Sequence, residues 1–404
     1  MKVEQIYKLM NTVTGEILGV QNPDGGTSNA FIVEEDLSNV VDLGKAIFEA
    51  TSVDNYVRTL VDVIGRVKIV DRIYSGATPS LLKDGWEYGS VMEKITITTL
   101  PEAEVNESWQ LTDGASYDSA VFKAPKVQAK FFNTKLTLEV DMSFTDKQVR
   151  ESFLSADKLN SFISAIYTAV DNSLTVKLDG LMERCLNNMI AETFIADYAS
   201  ALPGTKSGVK AVNLLYLYNN TVNYGQTPLT AAKAIYSPEF IRFAAYQIKM
   251  YQARLNKMSS LFNVSGLPRF TPSDKMHLIM LSHFADAAKV YLQSDTYNDE
   301  MVALPGSEIV SYWQGSGSSF DYADCSKIKV EVTSGSSTAD VELSGIIGVM
   351  FDDDACMVAN LDKRSTTHYS AKGEFTNIFW KNDVSLFNDL DENFVVFFIN
   401  DTVA

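Results

Sequence analysis

Between residues 86 and 141 the sequence sets out two alternating strand patterns separated by about 25 polar, turn-rich residues with no core of their own. The first is Val91-Met-Glu-Lys-Ile95-Thr-Ile97-Thr-Thr99, apolar or β-branched at 91, 95, 97 and 99. The second places Phe132, Thr134, Leu136, Leu138, Val140, Met142 and Phe144 at a strict period of two. Between them lie Pro101, Trp109, Asp113-Gly114, Tyr117, Phe122 and Pro125, with acids at Glu102, Glu104 and Glu107. A two-stranded hairpin is marginal in water by itself, and a long structureless connection usually signals function or a partner. Two readings stay open on pattern alone: a surface hairpin with a disordered tip, or a projecting arm that clamps a neighbouring subunit.

The strongest helical signal follows directly. Phe162, Ile166, Val170, Leu174 and Leu178 step by four, and Leu181, Cys185 and Met189 continue the stripe. One apolar face sustained over about 35 residues predicts a spine roughly 50 Å long. Gly180 costs about 1 kcal/mol relative to Ala and is a candidate kink.

Composition sets the class. The 404 residues are 46% hydrophobic and 21% charged, which predicts a soluble protein of two or three domains with real cores. No stretch reaches the roughly 20 apolar residues of a membrane span, and Met1-Lys-Val-Glu-Gln-Ile-Tyr lacks the apolar run of a secretion signal. Cys185, Cys325 and Cys356 form no C-x-x-C pair, so neither a disulfide framework nor a zinc site is predicted. The formal net charge of −17 argues against a nucleic-acid-binding module, which needs clustered Lys and Arg. It suits a container whose wall must not grip its contents.

Elsewhere, residues 1 to about 45 read as an extended, poorly self-packed arm, and 45 to 64 as a helix ended by Gly65 before a strand at Val67 to Val70. Leu202-Pro-Gly-Thr-Lys-Ser-Gly208 marks a boundary. Ser237-Pro238-Glu239 opens a helix with a capping hydroxyl, Pro at the first helical position and an acid in the first turn. Lys275 to Leu281 reads as a buried strand leading into a helix at Phe284 to Leu292. Ile328 to Val332 and Val341 to Leu343 form a second hairpin-like pair. Ile346 to Phe351, Phe375 to Trp380 and Phe394 to Asn400 are strands, with Asp352-Asp-Asp354 placed to start a short helix.

Chemistry-bearing motifs are missing. His277, His283 and His368 have no H-E-x-x-H or carboxylate spacing that makes a metal site, and there is no phosphate loop, nucleophile elbow or dinucleotide fingerprint. No enzyme activity, catalytic residue, cofactor or metal is expected. Asp352 to Asp354 is better read as helix capping than as a cation site.

The order of arm, hairpin, spine helix, mixed insertion and returning strands resembles the major capsid proteins of tailed bacteriophages, with their Hong Kong 97-like (Johnson) fold. Asn55-Tyr-Val-Arg-Thr-Leu-Val-Asp-Val-Ile-Gly-Arg-Val67, Asp71-Arg-Ile-Tyr-Ser-Gly76 and Trp86-Glu-Tyr-Gly89 are similar to the lead-in to the extended loop in a group that includes short-tailed phages. Tyr312-Trp-Gln-Gly315, Gly373-Glu-Phe-Thr-Asn377, Phe387-Asn-Asp389 and Glu392-Asn-Phe-Val-Val396 are similar to that group's later segments. The resemblance implies an α+β fold. Its parts would be an arm and lead-in helix at 1–85, an extended loop at 86–145, a peripheral domain at 146–204 and 346–404, and an axial domain at 205–345.

It further implies a structural protein of the virion, made in the host bacterial cytoplasm, whose hexamers and pentamers close an icosahedral shell around double-stranded DNA without reading its sequence. With no long helical N-terminal segment of its own, it would use a separate scaffolding protein. A portal protein, and in some relatives a decoration protein, are the other implied partners, with no membrane. An encapsulin-type compartment shell is the alternative. Trp86, Trp109, Tyr117 and Phe122 are the candidate subunit-interface anchors, because aromatics dominate interface energetics; their other reading is local packing of the hairpin.

Overall fold

The computed structural model describes Tyr56, Thr59 and residues 81–84, 92–101, 103, 110–115, 124, 126–154, 156–198, 206–293, 308–315, 319, 321–334 and 337–401. In chain order the strands are β1 (Leu82–Asp84), β2 (Met92–Ile97), β3 (Val127–Phe132), β4 (Lys135–Thr145), β5 (Ala211–Asn213), β6 (Met276–Leu281), β7 (Glu308–Val310), β8 (Ile328–Ser334), β9 (Ser337–Leu343), β10 (Ile346–Asp352), β11 (Cys356–Ser370), β12 (Phe375–Asn388) and β13 (Phe394–Phe398). The helices are α1 (Asp146–Ser152), α2 (Ala156–Tyr198), α3 (Leu214–Asn220), α4 (Ala231–Ala234), α5 (Pro238–Leu255), α6 (Ser282–Gln293) and α7 (Tyr322–Cys325).

Continuous apolar runs make a sheet that must be covered on both faces. Ile346 to Phe351 and Phe394 to Phe398 are such runs, and they lie in a five-stranded sheet of order β5-β13-β10-β6-β7. Alternation divides their side chains between two cores. Ile279, Leu281, Val349, Phe351, Phe394, Val396 and Phe398 pack with the second half of α2, Trp313 and the β8–β9 ribbon. Leu278, Met280, Ile347, Met350, Val395 and Phe397 turn the other way, onto α3, α5 and α6. Phe194 of α2 meets Phe398 at 4.9 Å between centroids, and Tyr251 of α5 meets Phe397 at 5.5 Å on the opposite face.

The second sheet has the order β1-β11-β12-β4. The spine helix α2 packs along β4, β11 and β12 of this sheet and reaches β5 and β13 of the other, so it joins the two. Its 43 residues run unbroken through Gly180, where an added Cβ meets only open space. Ser237 caps α5 by accepting from the Phe240 amide, with Pro238 and Glu239 in the first turn as the spacing predicts.

Three expectations need correction. Beyond Phe132 the period-two run does not pair with the first arm strand: β2 pairs with β3, in register from Met92 opposite Phe132 to Ile97 opposite Val127, while β4, which holds Leu136 to Phe144, pairs with β12. Alternation fixes which face a side chain takes but not which strand lies beside it. Asp352 to Asp354 forms a tight turn rather than a helix start, because Cys356 at once resumes a strand, and the Asp352 carboxylate accepts from the Asp354 amide at 3.0 Å. Finally, β10 and β13 lie in the sheet with β5, β6 and β7, so only β11 and β12 of the C-terminal region join β4. The arm at 1–45, the strand at 67–70 and, apart from helical Tyr56 and Thr59, the helix at 45–64 fall outside the described residues.

Gly345 joins β9 to β10 with φ of 79°, and a Cβ there would stand 2.1 Å from the Ile399 carbonyl oxygen. Gly345→Ala is therefore expected to cost about 2 kcal/mol or more, measured by chemical denaturation. On α2, burial and then the charge of Asp179 one turn away raise the Glu183 carboxyl to about 7. The folded chain holds that proton to higher pH than the unfolded chain, so stability falls as pH rises from the ordinary carboxylate range through about 7. Glu183→Gln is expected to raise the melting temperature at pH 8 and leave it unchanged at pH 4.

Candidate assembly interface

The arm hairpin β2–β3 has two chemically distinct faces. Cross-strand pairs Glu93/Phe131, Ile95/Ala129 and Ile97/Val127 share one face, and Lys94/Lys130 and Thr96/Gln128 share the other with Phe132. The lysine pair puts like charges directly opposite, which destabilises an isolated ribbon. Carboxylates beneath the ribbon neutralise it.

Those carboxylates belong to the turn between β12 and β13. Lys94 Nζ donates to Asp389 Oδ2 at 2.6 Å and to Glu392 Oε1 at 2.8 Å. Lys130 Nζ donates to Asp389 Oδ1 at 3.0 Å and lies 2.5 Å from Asp391 Oδ2. Arg269 Nε stands 3.3 Å from Glu392 Oε1. The Asp389 and Asp391 side chains are only 2% and 3% exposed. Phe132 adds an edge-on contact with Phe387 at 5.6 Å.

The acidic turn is held from both sides. Asp389 N donates to Ala355 O at 2.8 Å, while the amides of Val264 and Ser265 donate to Leu390 O at 3.1 and 3.2 Å. A buried charge pair adds little net stability over an apolar replacement, yet removing one partner strands the other. The cluster therefore sets the direction of the arm more than it strengthens the fold.

Burial alone would raise the Asp389 carboxyl, but its bonds to Lys94 and Lys130 outweigh this and hold it below the usual carboxylate range. Burial alone would lower the Lys94 ammonium, and its bonds to Asp389 and Glu392 leave it raised instead. Both shifts favour the charged pair. Its contribution is complete between the ordinary carboxylate and lysine ranges, and it is lost as pH falls through the depressed value of Asp389.

The outward face is apolar and exposed. Ile95 is 66% exposed, Ile97 48%, Val127 54% and Phe131 64%. Four large apolar side chains on one face of a rooted ribbon make this face the candidate interaction surface. Beyond the strands, Asp113 and Gly114 form the expected turn, with Gly114 at φ of 82° and Ala115 N donating to Thr112 O.

The candidate anchors Trp86, Trp109, Tyr117 and Phe122 lie outside the described residues. The ion cluster was not anticipated from the sequence, although its signal is there: one lysine at the same inward position of each arm strand, and three acids in the turn Asp389-Leu-Asp-Glu392. Among the described residues no group of His, Cys, Asp and Glu is placed to hold a metal ion, and no helix is long and apolar enough to cross a membrane.

Residues 20–398 match the family profile of the Phi29-like phage major capsid protein. The chain belongs to that family. This is a family of virion structural proteins rather than of enzymes. Over 176 residues the chain is 25% identical to the major capsid protein of Bacillus phage GA-1; the match takes in 43% of this chain and spans about a third, 34%, of that relative. Among solved structures it is similar to a chain of the Staphylococcus phage Andhra capsid, at 10% identity and a TM-score of 0.47, covering 83% of this chain and 87% of that one. A chain in the structure of the head fibre and inner core protein of bacteriophage P68 overlays with a TM-score of 0.49 at 8% identity, with the same coverage of both chains. The assignment rests on the family match.

Asp389→Ala in this capsid-family protein is expected to cost on the order of 3 kcal/mol, more than Lys94→Ala, because one carboxylate holds both lysines. Hydrogen exchange should speed up in 92–97 and 127–132 while β10 and β13 stay protected. Unchanged exchange in the arm would remove the rooting role.

Proposed function

We propose that this chain is the structural unit of a phage head, assembling through its arm. The single observation that carries the reading is the apolar outer face of β2–β3 on a ribbon whose other face is fixed by ion pairs. A rooted arm with an unsatisfied apolar face is built to dock on another copy. Heterologous contacts of this kind close into rings when the rotation permits, and hexamers and pentamers of this subunit would close an icosahedral shell.

In this reading the chain has the Hong Kong 97-like fold. The four-stranded sheet with α2 forms the peripheral domain. The five-stranded sheet with its flanking helices forms the axial domain, which takes in 346–352 and 394–398 as well as most of 205–345. Trp109, Tyr117 and Phe122 in the loop, and Trp86 before it, would complete the arm's contact with its neighbour. A net charge of −17 leaves the wall without attraction for the double-stranded DNA it encloses. Assembly would take place in the host bacterial cytoplasm, guided by a scaffolding protein, with a portal protein at one vertex and a decoration protein as an outer partner. Family membership favours a phage head over an encapsulin-type compartment.

The test is negative-stain microscopy of the full chain made with and without its scaffolding protein. Uniform hollow shells support the proposal, and a persistent small oligomer sinks it. Ile95→Ser with Phe131→Ser is expected to leave subunit melting within a degree or two of wild type while cutting shell yield at least tenfold. Undiminished shells would take the arm's outer face out of the assembly contact.

A further inference from the structure

We propose that the outer face of α5 in one copy docks against the outer face of the β8–β9 ribbon in the next, a head-to-tail contact repeated around each ring. The inference rests on the assembly reading above and names surfaces that reading leaves open.

The first surface stands out by charge. Residues 240–257 hold four basic and no acidic side chains, in a chain whose net charge is −17. Helix α5 turns Phe240, Ile241, Ala244, Ala245, Ile248, Tyr251 and Leu255 onto the five-stranded sheet. Arg242, Tyr246, Lys249 and Ala253, with Lys257 just past the helix end, recur at helical spacing on the other side and are exposed. Tyr246 is 59% exposed. Glu239 at the helix start accepts from the Tyr218 hydroxyl at 3.3 Å, and the Arg254 guanidinium lies 4.9 Å from the centre of the Tyr251 ring. The outward cationic face is therefore centred on Lys249 and Lys257.

The second surface has the opposite sign. In the β8–β9 ribbon Val330, Val332, Val341 and Leu343 face the core. The register sets Glu331 directly opposite Asp340, and Lys329 opposite Glu342, all four exposed. Lysine offsets one acid, but Glu331 and Asp340 form a like-charge cross-strand pair, which weakens the ribbon unless an outside cation comes near. Residues 321–344 together hold five acids and two lysines.

The two surfaces sit on opposite sides of one sheet. α5 covers the face of Leu278, Met280 and Phe397, and β8–β9 belongs to the core on the face of Ile279, Val349 and Phe398. A copy can thus present its cationic side to the anionic side of the next, which is the geometry of a heterologous contact that closes into a ring. Nucleic acid could satisfy α5 but would leave the Glu331/Asp340 pair unrelieved. A second copy satisfies both.

The experiment uses the full chain, made with its scaffolding protein, in two charge-reversed forms: K249E/K257E and E331K/D340K. Circular dichroism melts report the fold; mass photometry and negative-stain microscopy count rings and shells. Each form is expected to melt as wild type but give at least tenfold fewer rings and shells, and all four changes in one chain should restore them. The milder K249Q/K257Q should lower the yield by a smaller factor. A one-to-one mixture of the two reversed forms should give even-numbered rings, because alternating copies then pair opposite charges. Full yield from either reversed form alone overturns the contact, as does a folded four-fold variant that stays unassembled. K249E/K257E shells at full yield with less retained DNA would assign α5 to phosphate instead. Failure of the wild type to form closed shells sinks the assembly reading itself, whereas wild-type shells with indifferent variants sink only this contact.

Discussion

The Asp389 carboxylate accepts from a lysine on each arm strand while the turn that carries it is pinned by the Ala355 carbonyl on one side and by the 264–265 amides on the other. Charge desolvated in this way tolerates few geometries, because each ion needs its counterpart within hydrogen-bond distance once water is gone. A ribbon that cannot bury its own faces thereby gains a fixed direction. The same turn leads from β12 into β13, so the tie that aims the arm also links the four-stranded sheet to the five-stranded one.

Around that tie the fold divides its apolar surface between two cores. Alternate residues of β6, β10 and β13 supply both, so neither side of the central sheet can be exposed without loss to the other. Covering both sides also decides what the outside looks like. One side presents the outer helix face of Arg242, Tyr246 and Lys249, the other the ribbon face of Glu331 and Asp340, with the five-stranded sheet between them.

Much of this was legible in the sequence where periodicity and punctuation agreed. The step-of-four stripe from Phe162 gave α2, the Ser237-Pro238-Glu239 start gave α5, and the run before Leu281 gave β6 followed by a helix. Pairing partners were not legible. Val127-Gln-Ala-Lys-Phe131 reads weakly because its apolar residues face solvent and its lysine faces inward, against the usual pattern, whereas the clean alternation of β4 belongs to a strand paired far along the chain with β12. The distal half of β11, Asp362-Lys-Arg-Ser-Thr-Thr-His368, is polar and becomes a strand through its ladder with β12. The interface was legible only as an arm. Its ion cluster depends on residues about 260 to 300 positions apart, a separation that no local pattern records.

The unbroken helix α2 has a mechanical consequence. At about 1.5 Å per residue it is a strut of roughly 65 Å, and a tilt of about 3° at one end moves the other by about 3 Å. Because it lies along both sheets, such a tilt carries one relative to the other as a lever, with Gly180 free of side-chain obstruction near its midpoint. A push on one end of this element is therefore felt by both sheets, because a stiff helix packed against each cannot shift under one alone.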